Sequence, residues 1–266
     1  MTPVATTERH VHQRLRHDVV LRTLDVVRVE RITPHMQRVT FGGAELKGFH
    51  SAAPDDHVKL FFPNRAGELV LPTLGANGPE FAAGREPSPM RDYTPRHHDA
   101  VRGELVIDFV LHGDGPASRW AEQAAAGQRI AAGGPRGSHL IADDFDHYAL
   151  AGDETALPAI GRWLEDMPAG MRATVLIEVA EATDRQRLFS HAHVDVRWCE
   201  RDDPHGESLE DALHALPAAE GDCFWWIAAE SGRVRAMRRS LEQRGVPKEW
   251  IKATGYWIAR ADDAGE

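Results

Sequence analysis

Apolar and polar positions alternate in short runs through the first half of the chain. Leu24–Ile32 and Met36–Phe41 alternate imperfectly, and His57–Phe62, Arg91–Thr94, Glu104–Leu111 and Gln128–Ala131 follow in turn. A period of two puts one face of each run on a core and the other toward solvent. Gly- and Pro-rich stretches separate the runs, most densely from Pro72 to Pro89. The six runs predict a six-stranded antiparallel β-barrel. One helix over Ala117–Ala126 interrupts it.

From about Asp143 the pattern changes. Arg172–Ala180 and Cys223–Ala229 are nearly continuous apolar runs, as strands covered on both faces require. His147–Ala151, Val194–Trp198 and Tyr256–Ala259 read as further strands. Helical stretches lie between them at Thr155–Glu165, Glu207–Leu216 and Ser231–Arg244. Ser231 is positioned to cap the last helix, and Gly245 and Pro247 stop it. Strands alternating with helices predict βαβ units on a mainly parallel sheet. The expected layout is a frayed N-terminus over 1–18, a barrel domain over 19–142 and a nucleotide-binding-type α/β domain over 143–266.

Composition narrows the function. The 266 residues are 42% hydrophobic and 27% charged, which suits packed globular domains. No apolar run reaches the ~20 residues of a membrane span. Met1–Asp18 has no apolar block, so no secretory leader is expected. The two cysteines, Cys199 and Cys223, cannot supply the four thiolates of a typical iron–sulfur cluster. They also form no disulfide framework, so a reducing cytoplasm is expected. A net charge of -10 argues against general nucleic-acid binding. An anionic ligand would therefore need a local basic pocket.

Four motifs carry candidate chemistry. Arg91-Asp-Tyr-Thr94 puts a cation and an aromatic on one face of a strand, followed by a hydroxyl. A flavin on a barrel needs those groups, and an ordinary barrel strand can carry them too. His112-Gly-Asp-Gly-Pro-Ala-Ser118 joins a strand to a helix, where free N–H groups can meet a phosphate. Gly133-Gly-Pro-Arg-Gly137 closes the first half and can project Arg136 into a cleft. Ala151-Gly-Asp-Glu-Thr-Ala-Leu-Pro-Ala159 runs from strand through a tight turn to a helix start, where α/β sheets place ligands. It lacks G-x-G-x-x-G, so the usual dinucleotide fingerprint is absent. Of the 15 histidines, the close pairs His10/His12, His97/His98 and His191/His193 invite a metal reading. Adjacent histidines on a strand face opposite ways, and no metal site is expected.

These motifs, in this order, together with Asp56–Pro63, Pro116–Ala121 and Trp226–Glu230, resemble the siderophore-interacting proteins. That family is a branch of the ferredoxin-reductase-like flavoproteins. The resemblance runs from about Val20 to Trp257. It implies FAD on the barrel, bound by Arg91, Tyr93, Thr94, Asp108, His112, Ala117 and Ser118, with Asp153, Glu154 and Thr155 near the adenine end. It implies NADPH or NADH as donor, with Glu230 and Arg233 on that side; ferredoxin is the donor in some relatives. Arg233, Arg235, Arg238 and Arg239 also read as a solvated helix face. A subgroup reduces ferric chelates with three basic residues at the flavin edge, matched here by Lys59, Arg136 and Lys252. Trp257, next to this segment, is expected nearer the flavin than Trp225 or Trp226. The implied activity is transfer of electrons from the nicotinamide through flavin to siderophore-bound Fe(III), with no catalytic acid or nucleophile. Two readings stay open beside it: a flavin reductase with a protein or free-flavin acceptor, and a carrier that binds a ferric siderophore without reducing it.

Overall fold

The computed structural model describes residues 9–75, 78–113, 115–217 and 220–259. Its first half contains β1 (Gln13–Arg16), β2 (Leu21–Thr33), β3 (Met36–Gly42), β4 (Val58–Phe61), β5 (Thr73–Gly75), β6 (Gly78–Glu80), β7 (Met90–Tyr93), β8 (His97–Asp99), β9 (Glu104–Val110), α1 (Pro116–Glu122), β10 (Arg129–Gly133) and β11 (Gly137–Leu140). Seven of these strands form one antiparallel sheet in the order β7-β4-β10-β2-β3-β9-β8. Its two edge strands, β7 and β8, are joined by only Thr94, Pro95 and Arg96. Such a link spans at most about 14 Å, so the sheet is curled on itself. No ladder pairs its edges among the described residues. Alternate residues fill the inside: Leu24 and Val26, Val39 and Phe41, Val58 and Leu60, Leu105, Ile107 and Phe109.

The second half contains β12 (His147–Gly152), α2 (Leu157–Asp166), β13 (Arg172–Val179), β14 (His193–Glu200), α3 (Leu209–Ala215), β15 (Cys223–Glu230), α4 (Ser231–Gln243) and β16 (Ile251–Trp257). Five parallel strands run in the order β14-β13-β12-β15-β16. The order reverses between β12 and β15, which opens a crevice at the strands' carboxyl ends. Two apolar layers cover the sheet, one with Ile160 and Trp163 of α2, the other with Leu213 of α3 and Met237 of α4. No helix among the described residues is long and apolar enough to cross a membrane.

The structure departs from the expected elements in four places. The antiparallel sheet has seven strands rather than six, because β8 adds to the edge of β9. Gln13–Arg16 is not frayed: it pairs with Gly137–Leu140. His10 beside it stacks on Phe145 at 3.8 Å and meets the carboxylates of Asp144 and Asp222. The last strand is Ile251–Trp257, not Tyr256–Ala259, since pairing with Trp225–Glu230 overrides the polar look of Lys252-Ala-Thr-Gly255. Glu230, not Ser231, caps α4, and the Ser231 hydroxyl donates to the Trp257 carbonyl at 2.8 Å.

Polar ties fasten the halves together. Arg162 of α2 donates to Ser51 Oγ (2.9 Å) and the Pro95 carbonyl (3.1 Å). Arg96 forks onto Glu165, and His35 in the β2–β3 turn meets Asp184 at 2.7 Å. Asp55, before β4, takes the Lys252 ammonium at 2.7 Å and the Trp226 indole N–H at 3.0 Å. Asp55 and Lys252 side chains are 5% and 18% exposed, so each ion depends on the other. Lys252→Met strands the Asp55 carboxylate and is expected to cost about 3–5 kcal/mol in urea unfolding. The double variant Asp55→Asn/Lys252→Met should cost clearly less than that single; equal losses would refute the pairing.

Candidate functional site

The Arg91–Thr94 tetrad lies on the edge strand β7 and in the link that leaves it. The Tyr93 ring packs on Phe109, 4.5 Å between centroids, and so turns one edge into the core of the antiparallel sheet. Arg91 is exposed, bonds only to the neighbouring Met90 carbonyl, and has no carboxylate partner among the described residues. Thr94 is buried where the antiparallel sheet meets β16. Opposite it stands Tyr256, edge-on to Trp226 at 6.3 Å. Its hydroxyl is buried and without a hydrogen-bond partner; Thr94 approaches it without reaching bonding geometry. This seam between the two sheets therefore offers an unpaired cation, an aromatic and a buried O–H. Those groups fit an isoalloxazine and its pyrophosphate.

The motif after β9 is tightly wound. Ser118 Oγ, buried in α1, accepts the His112 backbone N–H at 3.1 Å. Ala117 is buried beside it and the His112 side chain is exposed. Asp114 of this motif lies outside the described residues. Asp108 is cross-strand from Arg38, which forks onto it at 2.7 and 2.8 Å. With its side chain only 2% exposed, Asp108 presents nothing to a ligand.

The three expected substrate cations differ in what already holds them. Lys59, on β4, sits directly across from Asp92 and bonds both its carboxylate oxygens at 2.7 and 3.0 Å, half in solvent. Lys252 is buried against Asp55. Arg136 is exposed and pairs with no carboxylate among the described residues. Its loop starts at Gly134, with φ of 99°, a region that strains any other residue. The buried Arg22 guanidinium holds that loop by donating to the Gly134 and Val20 carbonyls, each at 3.2 Å.

The crevice at the carboxyl ends of the parallel strands is charged and mostly self-paired. Only glycine fits position 152, where a Cβ would stand 2.7 Å from the Ala228 carbonyl oxygen. Asp153 is 1% exposed and accepts the Thr155 N–H at 3.0 Å and the Trp257 indole N–H at 2.8 Å. Burial raises its carboxyl above the usual range. The Thr155 hydroxyl turns back onto the same carboxylate. Glu154 holds Arg201 at 2.6 and 2.7 Å, and burial pushes its carboxyl up to about 6. Arg233 forks onto Glu210 and Glu178, each pair at 2.6 and 2.8 Å, and these bonds raise its pKa. Glu230 is spent on the α4 cap, accepting the Gly232 and Arg233 N–H groups. Of the two arginines here, Arg201 is the more open, its side chain 39% exposed against 27% for Arg233.

Tyr256, Asp55, Arg162 and Arg201 are absent from the residues expected on sequence grounds. Arg201 follows directly on β14, and that position at a strand's carboxyl end is a usable signal. The others matter through contacts 67 or more positions away in the chain. Burial pushes the Cys199 and Cys223 thiols up to about 11 and about 12, which keeps both neutral and unreactive. His35, Glu181 and Asp184 bring ligating atoms within 4.8 Å of one another, with His35 N–H groups already on Asp184.

Residues 25–139 match the model of the siderophore-interacting FAD-binding domain, and residues 145–260 match that of the siderophore-interacting protein. The NADPH-dependent ferric-chelate reductase of Escherichia coli (strain K12) is 35% identical over 254 residues, 93% of this chain and 97% of that protein. A solved siderophore utilization protein from T. fusca is 37% identical and covers 93% of this chain and 96% of its own, with a TM-score of 0.85. The ferredoxin reductase in carbazole 1,9a-dioxygenase shares the fold alone: 16% identity, 90% of this chain, 69% of its own, TM-score 0.66. With a ferredoxin-reductase-like fold and both family models matched in order, this chain belongs to the siderophore-interacting protein family.

Proposed function

We propose that the chain is an FAD-dependent ferric-siderophore reductase fed by NADPH or NADH and working in the cytoplasm. The seam supports this reading most: Thr94, the end of the Arg91–Thr94 tetrad, meets Tyr256 of the other sheet there, and among the described residues neither Arg91 nor Arg136 has a carboxylate partner. The barrel would run from about 19 to 142 and carry the FAD; the α/β domain from 143 would receive the nicotinamide. Bound FAD would supply the coupling between a two-electron donor and one-electron reduction of iron. The chain's own work is to bind, orient and attract. Arg91 would hold the pyrophosphate and Tyr93 would pack beside the ring. Arg136, aided by Lys59, would draw in an anionic ferric chelate against the overall charge of -10. Lys252 serves this indirectly, as the counter-ion that keeps Asp55 buried at the seam. The iron arrives inside its own chelate, so no protein ligand is required.

On the donor side, the saturated Arg233 yields to Arg201 as the group to read a 2′-phosphate. Glu154 is then a built-in competitor for that phosphate.

An anaerobic titration tests the whole reading. FAD that nicotinamide bleaches, and that recovers its colour as ferric siderophore yields Fe(II), is the expected result. Bound FAD indifferent to nicotinamide would make ferredoxin the donor; bleached flavin indifferent to the chelate would make the acceptor a protein. Protein that takes up no FAD would refute it.

Arg136→Ala is expected to raise KM for a ferric triscatecholate up to about fivefold at low salt, with flavin content unchanged. Asp92→Asn should lower that KM by freeing Lys59. Both shifts should shrink at 1 M salt, where the screening length is about 3 Å. Arg201→Ala should cut kcat/KM for NADPH about tenfold, one lost charge-assisted contact, and leave NADH unaffected. Equal effects on both donors would remove Arg201 from that role. Glu154 is expected to titrate near pH 6 by carboxyl NMR. Its raised pKa means the fold binds the proton more tightly than the unfolded chain. Wild type should therefore gain stability relative to Glu154→Gln as pH falls from 7 through 6 to the unfolded value of 4.5, by about 2 kcal/mol at most over the whole window.

A further inference from the structure

Four buried side-chain polar atoms among the described residues lack a hydrogen-bond partner: Arg22 Nε, Thr33 Oγ1, Trp163 Nε1 and Tyr256 Oη. Arg22 satisfies its charge through Nη1, and Thr33 lies beside the Asp184 carboxylate. Trp163 belongs to the core under α2. Tyr256 is different, because its hydroxyl is at the seam between the two sheets, among Thr94 and Asp55. A buried O–H left unmade costs about 1–3 kcal/mol, and native interiors seldom leave one. Neither neighbour offers relief: one Asp55 oxygen takes Lys252 and the other takes both Lys252 and Trp226, and the Thr94 hydroxyl stands near but outside bonding geometry. Burial also drives the phenol pKa up, so the group remains a donor at every working pH. What it needs is an acceptor that comes from outside the chain.

We propose that Tyr256 is a flavin-binding residue, its hydroxyl donating to a ring acceptor of the FAD isoalloxazine at the seam. This rests on the reading of the chain as an FAD-dependent reductase. Thr94, the neighbour across the seam, ends the tetrad expected at the flavin ring. Tyr256 stands on β16, in the other half of the molecule. The flavin would then bond both halves at once, one through Arg91–Thr94 and the other through Tyr256. Nothing in the tetrad alone provides that second attachment.

The test is Tyr256→Phe, which removes the hydroxyl and keeps the ring that packs on Trp226. Both full-length proteins are stripped of flavin, melted, and titrated with FAD. The variant should bind FAD about tenfold more weakly, about 1.4 kcal/mol. Its flavin-free Tm should equal or exceed that of wild type, because an unmade buried O–H has been deleted. The visible band of bound flavin should shift between the two proteins. Equal FAD affinity overturns the proposal. So does a lower flavin-free Tm, which would show that the hydroxyl is already bonded within the protein. Wild type that binds no FAD overturns the reductase reading and this inference with it, whereas tight binding by both proteins overturns only the role of Tyr256.

Discussion

A buried carboxylate between two sheets sets how the halves of this chain meet. Asp55 leaves the barrel side and finds an ammonium and an indole N–H on the other. An ion that deep is tolerable only with its partners in place, so the pairing admits one relative placement of the sheets. Arg162, bonded to Ser51 and the Pro95 carbonyl, adds a second tie between the halves. Thr94 precedes Pro95 in that link, and Tyr256 follows Lys252 by four positions. The ties that join the halves are thus next to the groups that would meet a flavin, and a change in one would be felt by the other.

Several of the charges considered for the site are spent on one another. Lys59 has Asp92, Lys252 has Asp55, Arg233 has two glutamates and Arg201 has Glu154. Among the cations considered for the site, that leaves Arg136 and Arg91 as the exposed ones with no carboxylate partner among the described residues. In the proposed reading the same pairs would supply competitors, Asp92 for the chelate and Glu154 for the nicotinamide phosphate. Selectivity in such a site would come from displacing a resident carboxylate, which a weakly charged ligand does poorly.

Much of the fold was legible because periodicity reports burial. Arg172–Ala180 reads as a strand covered on both faces, and Val175 to Val179 is indeed buried. The terminal strand was misplaced since Lys252-Ala-Thr-Gly255 carries no apolar run; pairing with β15 makes it a strand. The N-terminal strand was missed for the same reason, as Gln13–Arg16 is polar and exposed and is held only by its ladder with β11.

The order of the motifs, the change from antiparallel strands to alternating strands and helices, and the tetrad's start on a strand follow from the amino-acid sequence by itself, because turn residues and apolar spacing act locally. Which charges remain free was decided by the tertiary structure. Lys59, Arg136 and Lys252 look alike in sequence, yet one is half-masked, one is exposed and one is buried. Asp108 and Arg233 look available and are held by Arg38 and by Glu178 with Glu210. Tyr256 looks like an ordinary strand aromatic until Thr94 and Asp55 close around it. Ion pairing and burial depend on groups brought together from distant positions, and no local pattern records who meets whom.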